Sequence, residues 1–335
     1  MEIRSRIFER YPNYKFKIPL KNTDKIVIGE GEVNMGDTLF ERADTPLKKS
    51  LSVTKVLGCK NEECERYVVK VDGEYLEEGE VIARKTSSGK LSVVELVSPI
   101  TGILDLTRIK MGYVDILGEE SLSVVQSDFK GYIETVNPID GLVVVTDAVC
   151  VDGVVSSKSD EKFFGKLEVL GDGKTILKES NLGDDYSGKI VWVGPYLYNK
   201  VAVGLFERGA IAVITYAMSY SEFRDIGLPI MILGGFGSVH CDTVFLNRFL
   251  SFKEKFVMLD SSENQLFILS NSDIKNNRWF VNNYTNQLVI SRSVSTYGYI
   301  GKIMEFDQES GNAFVDFGNK GKSLMNIGLL DFIDL

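Results

Sequence analysis

Histidine is nearly absent from this sequence: His240 is the only one among 335 residues. A Ser-His-Asp triad or a Cys-His pair would therefore have to use His240. Cys241 follows it directly, but a nucleophile and its base normally come from different segments of a chain. We therefore predict no catalytic residue. The sequence favours a non-enzymatic protein and leaves open whether one of its regions has an activity.

Cysteine is also scarce, with four residues at positions 59, 64, 150 and 241. Cys59 and Cys64 have a spacing that zinc sites use, but a closed zinc site needs four ligands and no second close pair follows. Reduced thiols in a reducing compartment are the simpler interpretation. We predict no metal site, no cofactor and a cytoplasmic location.

Long apolar runs and an excess of positive charge are missing as well. The uncharged run 226–241 contains Pro229 and four glycines, and it is shorter than the roughly 20 apolar residues that span a bilayer. Residues 1–6 have no apolar core behind them, so we expect neither a signal peptide nor membrane insertion. The net charge of −9 argues against a large nucleic-acid-coating surface, which needs a basic face.

Short β-type segments separated by turns fill the first 125 residues. Two of them, at 31–39 and 72–83, contain a Gly followed by an acidic residue and then alternating apolar positions. The second leads through a strand at 91–97 into Ser98-Pro99-Ile100-Thr101-Gly102. Over roughly residues 20–120 this order resembles the hammerhead of biotinyl and lipoyl carriers, a barrel-sandwich hybrid also present in large RNA polymerase subunits.

The carrier resemblance implies a modified lysine on an exposed hairpin, flanked in the biotinyl family by methionines. In this sequence the hairpin is 86–90, and Lys90 lies there between a glycine and a leucine. Lys110, which does precede a methionine, comes after the Ser-Pro turn and therefore in the wrong place. We expect an unmodified structural domain in which Lys90 is an ordinary surface lysine.

Strands and helices alternate further along the chain, which predicts crossover connections and a mostly parallel sheet of about four strands. The predicted strands are 189–193, 211–215, 228–233 and 256–259, and the predicted helices are 196–208, 221–226 and 242–252. Trp192 is expected in the core. A small α/β, Rossmann-like domain follows from this alternation.

The C-terminal residues return to β-type patterns, with predicted strands at 301–306, 312–317 and 325–332. Gly301-Lys302-Ile303 followed by a hairpin resembles the SH3-like barrel of KOW-type modules, which occur in transcription and ribosomal proteins. The whole chain also resembles a family of uncharacterised bacterial proteins, a resemblance that implies no functional residue.

The predicted fold class is a multi-domain α+β protein with four parts. They are a hammerhead or barrel-sandwich-like β domain at 1–125, a second β-rich segment at 126–180, the α/β domain at 187–262 and an SH3/KOW-like β domain at 263–335.

One glycine-rich segment is a candidate ligand site, because it leaves the carboxyl end of a predicted strand and enters a predicted helix. The candidate ligand-binding residues are Gly234, Gly235, Gly237, Ser238 and His240. Their spacing is not that of a dinucleotide or P-loop fingerprint. The simpler interpretation is a tight turn followed by a helix that Asp242 or Thr243 caps.

Three functions remain open. The first is a non-enzymatic interaction or scaffold protein that binds a protein partner or itself. The second is a nucleic-acid-associated transcription or translation factor using Lys302, Lys320 and Lys322. Residues 291–335 contain four cations and six carboxylates, which disfavours it. The third is a small-ligand sensor that uses the glycine-rich segment.

Overall fold

Strands dominate the structure. The computed structural model describes residues 3, 4, 6–21, 24–44, 47–86, 93–118, 121–137, 141–157, 161–269, 280, 281 and 283–334. Strands account for 48% and helices for 17% of it, so the protein is mainly β with several sheets. The predicted hairpin lysine Lys90 lies outside the described residues.

The N-terminal part forms several small sheets. Its strands are β1 Ile3–Arg4, β2 Ile7–Ile18, β3 Lys25–Ile26, β4 Gly31–Val33, β5 Thr38–Asp44, β6 Leu47–Ser52, β7 Tyr75–Leu76, β8 Val81–Thr86, β9 Val93–Val97, β10 Gly102–Asp105, β11 Tyr113–Leu117 and β12 Ser121–Gln126. Its helices are α1 Val53–Leu57 and two 3-10 helices, Asn61–Tyr67 and Ile109–Met111. The sheet orders are β6-β11-β10-β7, β12-β5-β3 and the hairpin β8-β9, so β6 is an edge strand.

A tight turn between β4 and β5 is held by a distant segment. Within the turn, the Asn34 backbone N–H donates to the Asp37 carboxylate (2.7 Å). The Gly36 N–H donates to the Ser127 carbonyl (2.8 Å). The Ser127 hydroxyl in turn donates to the Phe129 carbonyl (2.7 Å), which bends the distant segment toward its next strand.

The turn between β7 and β8 repeats this arrangement bond for bond. The Glu77 N–H donates to the Glu80 carboxylate (3.0 Å), and the Gly79 N–H donates to the Ser98 carbonyl (2.7 Å). The Ser98 hydroxyl donates to the Ile100 carbonyl (2.6 Å). The N-terminal part is therefore built from two copies of one unit, and the first copy is completed by 127–131, beyond the predicted boundary at 125.

One long strand connects the parts of the chain. The next strands are β13 Gly131–Asn137, β14 Gly141–Asp152, β15 Val155–Ser156 and β16 Lys162–Val169, and β22 is Gln265–Leu269. Strand β14 pairs with β13, β2 and β22, all antiparallel. Strand pairing therefore crosses the predicted boundaries between 1–125, 126–180 and 263–335.

A parallel region with helices follows. Its elements are β17 Lys189–Trp192, β18 Tyr196–Leu197, α2 Asn199–Glu207, β19 Ala212–Met218, α3 Tyr220–Ile226, β20 Ile230–Phe236, α4 Thr243–Leu250 and β21 Phe256–Asp260, with a 3-10 helix at Glu179–Asn181 before them. Strands β16, β17, β19 and β20 are parallel neighbours. The predicted helix at 196–208 begins too early, because Tyr196–Leu197 is a strand. The predicted strand at 256–259 is β21, which adds to the sheet antiparallel to β16, so the sheet is mostly parallel, as predicted.

The C-terminal part is a small antiparallel sheet with its own core. Its elements are β23 Phe280–Val281, β24 Leu288–Ser291, β25 Ile300–Asp307, β26 Asn312–Asp316, β27 Lys322–Asn326 and β28 Leu330–Ile333, with 3-10 helices at Val294–Thr296, Gly318–Lys320 and Ile327–Leu329. Pairing gives the order β27-β26-β25-β24-β28. The single strand predicted at 325–332 was wrong, because Asn326 caps a 3-10 turn there by accepting from the Gly328 N–H (2.9 Å).

The largest core lies between the parallel strands and α4. Trp192 is fully buried there and its indole N–H donates to the Gly173 carbonyl (3.0 Å), which confirms its predicted core position. Its ring packs 4.4 Å from that of Phe249. Phe8 of β2 contacts Phe245 of the same helix (5.3 Å between ring centroids). The N-terminal strand β2 therefore contributes to the core of the parallel region.

A buried ion pair joins the N-terminal part to α2. Arg108 and Asp115 are 6% and 5% exposed, and two guanidinium nitrogens donate to the two carboxylate oxygens, each at 2.6 Å. Arg108 also donates to the Ser50 hydroxyl (2.8 Å) and to the Phe206 carbonyl at the end of α2. One side chain thus holds β6, β11 and α2 together.

A second ion pair gives stability a pH dependence. Arg42 donates to both oxygens of Asp24 (2.8 and 2.5 Å), and the Lys21 N–H donates as well (2.8 Å). Burial works to raise the pKa of Asp24, but these hydrogen bonds outweigh it and lower the pKa. A carboxyl whose pKa falls on folding stabilises the fold above its unfolded pKa, and this contribution is lost as the pH falls through the folded value.

Asp24→Asn is therefore expected to reduce the free energy of unfolding by about 1 kcal/mol at neutral pH, and the deficit should shrink once the pH falls below about 4. Urea unfolding at a series of pH values measures it. Glu41→Gln, which removes a carboxylate from an exposed pair with Lys25, is the control and should cost less than about 0.5 kcal/mol. A deficit for Asp24→Asn that is constant with pH would contradict the assignment.

Candidate functional site

The glycine-rich segment predicted to bind a ligand is in contact with the C-terminal part of the chain. Gly234, near the end of β20, packs against the ring of Tyr216: a Cβ at Gly234 would lie 2.3 Å from a ring atom. The Gly234 carbonyl accepts from Arg292 (3.1 Å) and from the Tyr297 hydroxyl (2.9 Å). Gly235 lies beside the same Tyr297 hydroxyl. These glycines therefore allow the 291–300 segment to approach the sheet.

The remaining predicted residues lie further along the same loop. Gly237 has a φ of 79°, and its N–H donates to the Met218 carbonyl (2.9 Å). Ser238 is exposed. The His240 ring stacks on Tyr299 with 3.8 Å between centroids. The five predicted residues thus lie at the end of β20 and in the loop that follows it, and the chain's own side chains contact this segment.

Beside this loop, one buried and one partly buried group are held in their neutral forms. Burial, more than any nearby charge, raises the pKa of the Tyr216 hydroxyl, which has no hydrogen-bond partner among the described residues. Burial, followed by the Asp242 carboxylate, raises the pKa of the Cys241 thiol. Since the thiolate is the nucleophilic form, Cys241 is a poor nucleophile. Asp242 itself caps α4 by accepting from the Val244 N–H (2.8 Å).

Cys59 and Cys64, the two cysteines with a zinc-like spacing, have their sulfurs close together. The Cys59 and Cys64 sulfurs are 3.7 Å apart. Burial, followed by the hydrogen bond with Cys59, raises the pKa of Cys64 to about 12. Among the described residues, no group of three or more His, Cys, Asp or Glu side chains could hold a metal ion.

Exposed aromatic side chains collect where the parallel strands end. Three neighbouring strands finish together, with Leu197 beside Met218 and Met218 beside Phe236. We call the five rings around these ends the aromatic surface, which comprises Tyr196, Tyr198, Tyr220, Phe223 and Phe236. In open α/β sheets, ligands bind at this end of the strands.

Ring contacts form two groups within the aromatic surface. Tyr196 and Tyr198 meet edge to face at 5.1 Å. Phe236 contacts Tyr220 at 5.1 Å and Phe223 at 5.5 Å. Tyr198, Tyr220 and Phe236 are nevertheless 46%, 59% and 37% exposed, so much of their apolar area faces solvent. These distances are within the favourable range for aromatic pairs, so the contacts within each group fix the orientation of its rings.

A carboxylate lies close to this surface. Burial, followed by the Glu222 carboxylate, raises the pKa of the Tyr196 hydroxyl, and a hydrogen bond from the Ser219 backbone acts in the opposite direction. Arg224 and Asp225 form an exposed ion pair on the same short helix, α3. The surface therefore has phenol hydroxyls, one carboxylate and a neutral ion pair beside its apolar rings.

The three lysines proposed for nucleic acid do not form a free basic patch. Lys302 and Lys322 lie on either side of Asp316 on adjacent strands, and Lys322 is 3.8 Å from its carboxylate. Lys320 lies over the Tyr299 ring instead (4.9 Å to the centroid). A carboxylate between two lysines weakens the attraction that a phosphate backbone needs.

No protein-family model matches the chain, and no curated protein matches it. Among the described residues, no helix is long and apolar enough to cross a membrane. None of the five rings of the aromatic surface was predicted from the sequence as part of a site. The available signal was their position, because each lies within a few residues of the end of a strand in the parallel region.

Proposed function

We propose that this protein is a non-enzymatic modular scaffold that binds a protein partner through the aromatic surface. The observation that carries the proposal is the position of Tyr198, Tyr220 and Phe236 at or beside the ends of adjacent strands, with each ring more than a third exposed. Exposed apolar side chains that share one face of a protein mark interaction sites. The partly buried Cys241 thiol, whose pKa is raised, and the glycine-rich segment, whose Gly234 carbonyl is held by Arg292 and Tyr297, supply no chemistry that would favour an enzyme instead.

Tyrosine-rich surfaces suit protein partners for a physical reason. A tyrosine side chain buries a large apolar area, loses little conformational entropy and keeps a hydroxyl for a hydrogen bond. Such residues are enriched among the positions that dominate binding energy. Here Tyr196 and Phe236 are anchored at strand ends while Tyr220 belongs to α3, so most of the surface is fixed on regular elements.

The modular architecture belongs to the same proposal. The repeated turn units at 31–39 and 74–82 support a barrel-sandwich hybrid in the N-terminal part. The four parallel strands β16, β17, β19 and β20 support a small Rossmann-like module, and the order β27-β26-β25-β24-β28 supports an SH3-like barrel. A cytoplasmic scaffold built from several small modules would use exposed side chains, such as those of the aromatic surface, to contact its partner.

Replacing Tyr198 and Tyr220 together with alanine is expected to weaken partner binding by at least about tenfold. Removing two exposed rings takes away contact area without disturbing the core. The partner is first identified by cross-linking in the native host and mass spectrometry, and its dissociation constant for the purified chain is then measured by calorimetry.

The matched control is Tyr75→Ala with Tyr132→Ala, two tyrosines that are similarly exposed (64% and 50%) but lie on β7 and β13. This variant should bind the partner as the unchanged chain does. Equal affinity for all three proteins, or equal loss in both variants, would contradict a binding role for the aromatic surface.

A further inference from the structure

A cleft of about 530 Å³ lies between the N-terminal part and the end of α2, away from the aromatic surface. One wall is formed by edge strand β6 and helix α1, and the other by the 184 loop and the C-terminal end of α2. Its lining residues are Lys48, Lys49, Ser50, Leu51, Ser52, Lys55, Val56, Asp184, Glu207 and Arg208.

The two walls differ in charge. The β6–α1 wall carries three lysines, Lys48, Lys49 and Lys55, and no carboxylate. The facing wall carries Asp184, Glu207 and Arg208. The cleft therefore has an excess of positive charge in a chain whose net charge is −9.

None of the four cations of the cleft forms an ion pair within the described chain. Arg208 donates to the Gly204 carbonyl (2.7 Å) and Lys48 to the Thr101 carbonyl (3.5 Å), and both contacts leave the charge uncompensated. Lys49 and Lys55 are exposed. An anion that enters the cleft would meet cations without having to displace a carboxylate from them.

The buried Arg108, although not part of the lining, connects the two walls of the cleft. Its guanidinium donates to the Ser50 hydroxyl of one wall and to the carbonyl of Phe206, the residue before Glu207 of the other wall, while Asp115 balances its charge. The carbonyl oxygens at a helix C-terminus normally repel an anion, and Arg108 covers one of them. The Tyr186 N–H, which donates to the Arg208 carbonyl (2.7 Å), ties the loop of the second wall to α2.

We propose that this cleft binds a hydroxyl-rich organic compound carrying two or more phosphate groups, of the class that includes nucleoside diphosphates and sugar bisphosphates. The phosphates lie against Lys48, Lys49 and Lys55, because multiple cations on one wall match a polyanion. The carboxylates of Asp184 and Glu207 accept hydrogen bonds from the ligand's hydroxyl groups, since an ionised carboxylate only accepts.

Calorimetry on the full chain tests this site with four probes: ADP, fructose 1,6-bisphosphate, pyrophosphate and adenosine. At least one organic diphosphate should bind, with affinity that falls between about 50 and about 200 mM salt. Pyrophosphate should bind more weakly and adenosine should not bind. If only ADP binds, the ligand is a nucleoside diphosphate; if only fructose 1,6-bisphosphate binds, it is a sugar bisphosphate.

The double variant Lys49→Ala with Lys55→Ala should bind the organic diphosphate at least about tenfold more weakly. The control is Lys302→Ala, which removes an exposed lysine of the C-terminal sheet and should leave the affinity unchanged. Asp184→Asn should lower the affinity for the organic diphosphate but not the affinity for pyrophosphate. Absence of binding by every phosphate probe, or binding unchanged by the double variant, overturns the site. Pyrophosphate binding as tight as that of the organic ligands overturns the role of the acidic wall.

Discussion

Replacing Arg108 with alanine is expected to lower the free energy of unfolding by about 3–5 kcal/mol, the largest effect among the substitutions considered, because it leaves the Asp115 carboxylate buried without its partner. The Ser50 hydroxyl and the Phe206 carbonyl lose their donor at the same time. Urea unfolding followed by circular dichroism measures the change. The loss should exceed that of any exposed ion pair.

Two controls define the cause. Arg224→Ala breaks a pair whose side chains are 63% and 64% exposed, and it should cost less than about 0.5 kcal/mol. Combining Arg108→Met with Asp115→Leu removes both charges and should recover much of the loss, because a buried pair can be replaced by apolar side chains of similar size. A double variant as unstable as Arg108→Ala would contradict the explanation by an unpaired charge.

Gly234→Ala is expected to destabilise the chain by about 3 kcal/mol, since overpacking a filled core forces backbone or ring movement. An added Cβ would lie 2.3, 2.4 and 2.8 Å from three atoms of the Tyr216 ring, and that ring is 1% exposed. Movement at Gly234 also disturbs the carbonyl that Arg292 and Tyr297 hold. Thermal unfolding and hydrogen exchange across 291–300 report both effects.

Gly237→Ala is the matched control within the same loop. Gly237 has a φ of 79° but no atom within 4 Å of a Cβ built on it. The expected cost is therefore only that of a left-handed conformation, about 1 kcal/mol. Equal losses in the two variants would show that conformation, and not the contact with Tyr216, makes the glycines necessary.

Local signals in the sequence were sufficient to predict the position of most strands in the parallel region. Apolar runs between glycines located β17, β19 and β20, and Asp242 was recognisable as the cap of α4. The repeated unit of the N-terminal part was only half recognised. Ser127 to Gly131 has the same Ser-x-apolar-x-Gly pattern as Ser98 to Gly102, but the predicted boundary at 125 separated it from the strands it completes.

Other features depended on contacts between distant residues. Tyr196–Leu197 has helix-compatible residues, yet pairing with Ala217 and Met218 makes it a strand. A propensity is a weak influence that such tertiary contacts override. The glycine-rich loop was placed correctly at a strand end, but its partners, Arg292 and Tyr297, come from a part of the chain that no local pattern links to it.

The basic cleft shows the same limit. Lys48 and Lys49 are adjacent in the sequence, whereas the wall opposite them comes from residues 184 and 207–208. Only the folded chain brings these walls together, and only there does a local positive excess emerge from a net negative composition. A charge average over the whole chain conceals such a site.

The pairing of β14 also determines when this protein can fold during its synthesis. The C-terminal end of β14, residues 148–151, hydrogen-bonds to β2 on one side and to β22 on the other, so both edges are satisfied only after residue 269 has left the ribosome. Until then the edge at 148–151 is open to wrong pairing with other chains. Such non-local pairing slows folding, and nascent chains that stall before β22 should depend on chaperones more than the finished protein does.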